Sequence, residues 1–286
     1  MNSYLDCIPC FFSQALRAAR IATNDEATHK RILDGIAQMV KIISLEDSPP
    51  KVAGMIYRIV AEETNNPDPY KHIKRDFTRR ALDLLPSLRK QVLSSDEPMM
   101  TAIRYAITGN IIDFGPTESF NMEKALDNAL LMKFGICDYE TFREHALRSK
   151  KTLYIGDNAG ETVFDRLLIE QLDSDVTYAV RNNPVINDAT IEDAREAGLD
   201  EAATIMSSGC DAPGIILEEC SRDFRDEFES ADLVIAKGQG NYESLSDVTR
   251  PMFFLLKAKC AIIARDLGIT NGDIVLKGIN AQQRMV

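Results

Sequence analysis

Residues 152–161 read TLYIGDNAGE: four residues suited to a buried strand run straight into Gly156-Asp157-Asn158-Ala159-Gly160-Glu161. A tight turn and a helix N-cap account for part of that loop, with Asp or Asn accepting from the first N–H groups of a helix. Taken alone the loop is equally well such a cap. It is also equally well a pair of hard oxygen ligands for Mg²⁺ or Mn²⁺. The surrounding sequence decides which roles are needed.

Working outward, short apolar runs recur after Lys151 at 152–155, 176–180, 203–206, 232–236, 252–256 and 273–276. Helical patterns lie between them at about 161–171, 189–197, 213–229, 241–248 and 260–267. Strands alternating with helices at this spacing predict βαβ units and a mainly parallel sheet covered on both faces. Before residue 151 the pattern is different. Residues 11–22, 29–43, 49–63 and 74–93 carry apolar stripes at three- and four-residue steps, punctuated by Ser48-Pro49-Pro50 and Asn65-Asn66-Pro67-Asp68-Pro69. The expected fold class is α/β: an N-terminal helical bundle over 1–150, then a Rossmann-like α/β/α sandwich over 151–286. Ligands in such sheets bind beyond the carboxyl ends of the strands.

Each loop after a strand is therefore a candidate. RNNPVINDAT (181–190) repeats the carboxamide–carboxylate pairing as Asn187-Asp188, although Thr190 or Asp188 would also serve as a helix cap. If the two loops converge, Asp157, Asn158 and Asp188 form an oxygen-rich metal site. Arg181, at the start of the second loop, joins the substrate-binding candidates. KGQGNYE (237–243) offers Lys237 as a full positive charge and Gly238 and Gly240 as close backbone approaches to an anion. The alternative is an ordinary glycine turn with a solvated lysine. In SSGCDAPG (207–214), Ser207, Ser208 and the glycines either hold a substrate or only cap the next helix through Asp211, with Pro213 at its start; for Asp211 the cap is the preferred reading. Asn110 and Asp113, in TGNIIDFGPTESF (108–120), either reach over the sheet edge toward substrate or belong to a linker turn.

Composition narrows the function. The 286 residues carry a net charge of −11, which argues against a nucleic-acid partner. No apolar run reaches a membrane span; the best, MFFLLKAKCAIIA, is cut by Lys257 and Lys259. The first residues lack a basic signal-peptide region, and six irregularly spaced cysteines do not look like a disulfide framework, so a cytoplasmic enzyme is expected. The three histidines all precede residue 150, which weakens Ser-His or Cys-His nucleophile chemistry. DSDVT (173–177) matches a haloacid-dehalogenase-type nucleophile motif but precedes its strand instead of following it. Cys7-Ile8-Pro9-Cys10 is a single CxxC, half of a zinc or cluster site, and reads as packing or a surface redox pair.

Taken together, GNIIDFG, GDNAGE, RNNPVINDAT and KGQGNYE resemble the metal-dependent damage-control phosphatases, a family also linked to an acidic-residue methyltransferase proposal. The N-terminal CxxC is similar to its archaeal and bacterial branch. The resemblance implies Asp157, Asn158 and Asp188 as ligands of a divalent metal (Mn, Mg, Co or Ni). It also implies Lys237 at the substrate phosphate and Asn110 and Asp113 near the substrate. The activity so implied is metal-dependent phosphatase chemistry on a small phosphorylated metabolite, whose identity the resemblance does not carry over; sugar or nucleotide phosphates are the expected class, with metal-activated water or Asp157 itself as nucleophile. Two rivals stand beside it: an S-adenosylmethionine-dependent carboxylate methyltransferase, whose glycine-rich loop DNAGE lacks, and a non-catalytic binding protein.

Overall fold

The computed structural model describes residues 1–109, 126, 128 and 130–281. Among these, seven strands form one sheet: β1 (Phe134–Cys137), β2 (Lys151–Ile155), β3 (Asp175–Val180), β4 (Thr204–Ser207), β5 (Leu233–Lys237), β6 (Met252–Lys257) and β7 (Ile274–Ile279). Their order is β1-β7-β6-β5-β2-β3-β4, with every neighbouring pair parallel except β6–β7. The central strands are apolar on both faces, as strands buried on both sides require. Leu153 and Ile155 of β2 point to one core and Tyr154 to the other.

The helices that follow the strands divide between the two faces. Helices α6 (Tyr139–Arg148), α7 (Thr162–Ile169) and α8 (Ile191–Glu196) contribute Phe142, Phe164 and Ala194 to the core on the Tyr154 side. Helices α9 (Arg222–Ser230), α10 (Gly238–Leu245) and α11 (Ala261–Leu267) contribute Phe224, Leu245 and Ile263 to the opposite core. The chain thus leaves β2 toward one face and the adjacent β5 toward the other. A crevice opens at that switch point, where open α/β sheets hold ligands.

The earlier helices are α1 (Cys7–Ala22), α2 (Glu26–Val40), α3 (Pro49–Thr64), α4 (Lys71–Ser94) and α5 (Pro98–Gly109). Asp25 caps α2 through the Ala27 and Thr28 N–H groups, and Pro49-Pro50 open α3 where no N–H partner is needed. α1–α3 enclose their own core around Phe11, Ile32, Ile36 and Ile56, and α3 packs on α10. α4 and α5 instead join the sheet layer through Phe77, Leu85 and Ile103. Phe77 lies so close over Gly160 that a Cβ there would sit 1.4 Å from its ring, so this glycine serves helix packing.

Three sequence expectations change. β1 lies inside the segment read as helical; it is a four-residue edge strand interrupted by Gly135, too short to show an alternating pattern. The helix expected over 213–229 begins only at Arg222, where Ser221 accepts from the Phe224 N–H. Upstream, the Ile215 N–H is taken by Asn241 Oδ1 at 3.0 Å, which holds that segment out of helix. Asp211 is accordingly no cap. Its carboxylate accepts from the Asn183 N–H and Nδ2, both at 3.0 Å, and joins the loops after β3 and β4. Asn110 and Asp113 lie outside the described residues.

Candidate active site

Strand register sets the site. Ile155 pairs with Ala179 on β3 and with Ala236 on β5, so three strands end level and their loops rise together. The loops after β2 and β3 then pair with each other. The Ala189 N–H donates to Asp157 O and the Ala159 N–H to Asn187 O, both at 2.8 Å, with Asn158 and Asp188 forming an isolated antiparallel bridge. Asp157, Asn158 and Asp188 are thereby brought together and line one cavity of about 480 Å³.

Asn241, in the first turn of α10, ties the third loop in. Its Nδ2 donates to Gly156 O (3.1 Å) and Lys237 O (2.7 Å), and its Oδ1 also accepts from Arg181 Nη2 at 3.4 Å. Pattern reading passed over this residue; its one signal is its position in the helix-opening turn of KGQGN. Gly238 stands at φ +80°, and a Cβ there would lie 2.0 Å from Asp157 Oδ2. Only glycine lets the start of α10 come this near the carboxylate.

The electrostatics are unbalanced. Asp157, Asp188, Glu161 and Asp165 are buried carboxylates, whereas the fully buried cations among them are Arg181 and Lys237. Arg181 Nε donates to Asp188 Oδ2 at 2.7 Å and its Nη2 lies 3.8 Å from Asp157 Oδ1, while Nη1 has no hydrogen-bond partner among the described residues. Burial, then Asp188 and Glu161, push the Asp157 carboxyl well above its usual range. Burial raises Asp188 as well, against the opposing pull of Arg181. Among the described residues this cluster is rich in carboxylate oxygens, with Lys259 as a further, exposed positive charge acting on Asp157. Two carboxylates and a carboxamide are hard donors of the type a divalent cation of the Mg²⁺/Mn²⁺ class takes. Asp157, Asn158 and Asp188 are the residues that could hold one. The Asn158 Nδ2 donates to Asp157 Oδ2 (3.2 Å) and to Glu161 Oε1.

Lys237 is not where its sequence context suggested. Its side chain is 0% exposed and its Nζ donates to Glu161 Oε2 (3.0 Å) and Asp165 Oδ1 (2.5 Å). Asp165 accepts in addition from Tyr154 OH (2.8 Å) and Tyr178 OH (2.6 Å). Burial alone would lower the lysine's pKa, but Asp165 and Glu161 hold it above its ordinary value. The ammonium is turned toward Glu161 and Asp165 and does not line the cavity, so in this structure Lys237 stands as a buttress beneath Asn158 and not at the expected phosphate position. Arg181, expected at the substrate, is likewise buried against Asp188 and does not line the cavity; Gly240 does.

The lysine that faces the cavity is Lys259, in the loop after β6. It is exposed, its charge favours the ionised form of Asp157, and its N–H donates to Gln239 Oε1 at 3.1 Å. Its position after a strand of the same sheet was a signal, masked by the apolar run around it. The opposite wall comes from the first helices, with Phe11, Gln14, Tyr57 and Tyr70.

Glu243 closes the cavity beside Gln239. Burial pushes its carboxyl up to about 7, against the Gln239 Nε2 hydrogen bond at 2.7 Å, which pulls it down. The folded chain therefore keeps a proton that an unfolded glutamate has lost above about pH 4.5. Stability is expected to fall as pH rises through that window to about 7, by at most on the order of 3 kcal/mol. Glu243→Gln should remove this part of the slope. Urea midpoints of both proteins at about pH 5 and about pH 8 check it, and identical slopes would refute the assignment.

This is an α/β protein whose sheet gathers hard oxygen donors at its switch point, with a lysine at the mouth of the same cavity. The chain belongs to the damage-control phosphatase ARMT1-like family, whose domain matches residues 3–275. It is 39% identical over 285 residues to the uncharacterised protein MJ0202 of Methanocaldococcus jannaschii, covering 95% of this chain and 93% of that one. It is 35% identical over 285 residues to the damage-control phosphatase PH1575 of Pyrococcus horikoshii, covering 96% and 97%. The crystal structure of that DUF89 family protein superposes with a TM-score of 0.87 at 32% identity, over 96% of this chain and 98% of that one.

Proposed function

We propose that this protein is a cytoplasmic hydrolase that releases phosphate from small phosphorylated metabolites, sugar or nucleotide phosphates, using a divalent metal (Mn, Mg, Co or Ni) held by Asp157, Asn158 and Asp188. The observation that carries this reading is the meeting of those three hard oxygen donors on one cavity wall. Family membership supports phosphatase chemistry, and six unpaired cysteines suit a reducing compartment. When bound, such a metal supplies Lewis-acid neutralisation of the phosphoryl oxygens.

The chain's own residues do the remaining work. Lys259 meets the phosphate charge from the cavity mouth. Arg181 fixes the Asp188 carboxylate, and Glu161 pins the Asn158 amide nitrogen. The start of α10 lies against Asp157, where backbone N–H groups favour negative charge. Preorganised charge of this kind is the main requirement of phosphoryl transfer, in which little covalent chemistry falls to the protein.

Purified protein is to be offered an aryl phosphate and a panel of sugar and nucleotide phosphates with each metal, then with chelator. Release of inorganic phosphate that stops with chelator and returns on adding metal is expected. Calorimetric binding of S-adenosylmethionine without phosphate release would overturn the reading in favour of a methyltransferase. Neither metal binding nor turnover would leave a binding protein.

A further inference from the structure

We propose that Cys7 and Cys10 form a thiol–disulfide exchange site on the cavity wall, which reacts with low-molecular-weight disulfides and, once oxidised, weakens substrate binding. The regulatory half of this statement rests on the phosphatase reading; the exchange site itself does not.

Three of the six cysteines, Cys7, Cys10 and Cys260, line the cavity. Each of these sulfurs accepts an N–H donor. Tyr4 N–H reaches Cys7 Sγ at 3.4 Å, Gln14 Nε2 reaches Cys10 Sγ at 3.1 Å and Gln239 Nε2 reaches Cys260 Sγ at 3.6 Å. These donors fix where the three sulfurs point; at Cys7 burial raises the thiol, against the Tyr4 N–H bond that lowers it. Cys210 and Cys220 lie apart from the cavity: both are buried and donate to backbone carbonyls, Gly214 O and Ile216 O, and the hydrogen bond from Cys220 pulls the Cys210 thiol down to about 6. Among the described residues no group of three or more His, Cys, Asp or Glu is arranged to hold a metal ion. The cavity cysteines are therefore read as a dithiol and not as a soft-metal site.

Position supports exchange between Cys7 and Cys10 in particular. Cys7 is the first residue of α1 and Cys10 lies one turn on, with Cys10 exposed and Cys7 half-buried. Residues three apart on a helix hold their Cβ atoms about 5–6 Å apart, and a disulfide needs roughly 3.5–4.5 Å. The first turn has to tighten by about 1–2 Å, which a helix start tolerates because its N–H groups lack intrahelical partners. Here the Cys7 and Ile8 N–H groups bond outside the helix, to Tyr4 O and Leu5 O, and Pro9 has no N–H to lose.

The exposed Cys10 thiolate attacks one sulfur of a small disulfide RSSR, and RS⁻ leaves and takes up a proton. Cys7, after giving its proton to solvent, attacks the Cys10 sulfur of the mixed disulfide and expels a second RS⁻, which is protonated in turn. Two protein thiols and RSSR thus become one protein disulfide and two RSH. Tightening the turn draws Cys10 Sγ off Gln14, whose Oε1 accepts from Tyr57 OH at 3.0 Å. Both residues face the substrate cavity, so the change is expected in KM more than in kcat.

The full chain is to be equilibrated in glutathione buffers of rising oxidised fraction, acid-quenched, alkylated and mapped by mass. The expected product is a Cys7–Cys10 cross-link lacking two hydrogens, reversed by dithiothreitol, with a several-fold rise in aryl phosphate KM. Cys10→Ser should abolish the cross-link, Cys7→Ser should stop at a glutathione adduct on Cys10, and Cys137→Ser should change neither readout. Full alkylation of Cys7 and Cys10 under oxidising conditions would overturn the exchange site, as would a cross-link confined to Cys210–Cys220. A mapped disulfide with unchanged KM would overturn the coupling. If no phosphate ester is hydrolysed, the peptide map still decides the site, and calorimetric binding of inorganic phosphate in the two redox states decides the coupling.

Discussion

Asp157→Asn is expected to lower kcat/KM for phosphate release by on the order of 10³-fold, and to do so without unfolding the protein. The carboxylate is the point at which the site's demands meet. It lies against Asn158 Nδ2 and the start of α10, with Arg181 Nη2 at 3.8 Å. Asparagine keeps the shape and removes the charge. In the absence of metal the loss of charge should help the fold, because Asp188 and Glu161 already oppose ionisation of this group. The variant is thus expected to melt at the same temperature as the parent or higher, the usual trade between stability and activity at a charged site. Kinetics and thermal melts on metal-free and metal-loaded protein check both halves. Retained turnover would remove Asp157 from the mechanism, and a collapsed melting temperature would make its role structural.

Lys237→Met should destabilise the protein by about 3–5 kcal/mol, the range for removing one partner of a buried ion pair. The substitution leaves Glu161 and Asp165, both 0% exposed, without their shared cation. Pairing it with Asp165→Asn takes away one of the stranded charges and should restore part of the loss. This pair also separates the buttress from the phosphate contact that the sequence suggested. A buttress predicts that activity returns along with stability in the double variant. A substrate-binding lysine predicts a stable but inactive double variant. Urea unfolding and phosphate release on the same samples decide between them.

Much of the architecture could be read along the chain. The runs 152–155, 176–180 and 252–256 are dense in β-branched, aromatic and leucine side chains, and sit between amphipathic segments, so local pattern and tertiary environment agree. β1 escaped because an edge strand with a central glycine buries too little to leave a period. The supposed helix at 213–221 failed for the converse reason. Its pattern permits a helix, but Asn241 takes the Ile215 N–H from a distance of 26 residues.

The candidate site divides along the same line. That Asp157, Asn158 and Asp188 would meet followed from chain order, because parallel strands carry their polar loops to one end of the sheet. Residue type and loop position alone carried this much. The facing of each side chain could not be read so, because it depends on which neighbour captures it. Lys237 and Lys259 both follow strands of the same sheet and look alike in sequence. One turns inward because Glu161 and Asp165 of the adjacent segment leave it a buried, charge-matched socket. The other is exposed and lines the cavity, with Gln239 Oε1 accepting from its backbone N–H. A short-range code specifies strands, turns and which loops can converge. The assignment of a charge to the core or to a ligand is set by long-range contacts, whose energy belongs to the assembled cluster and not to any one residue within it.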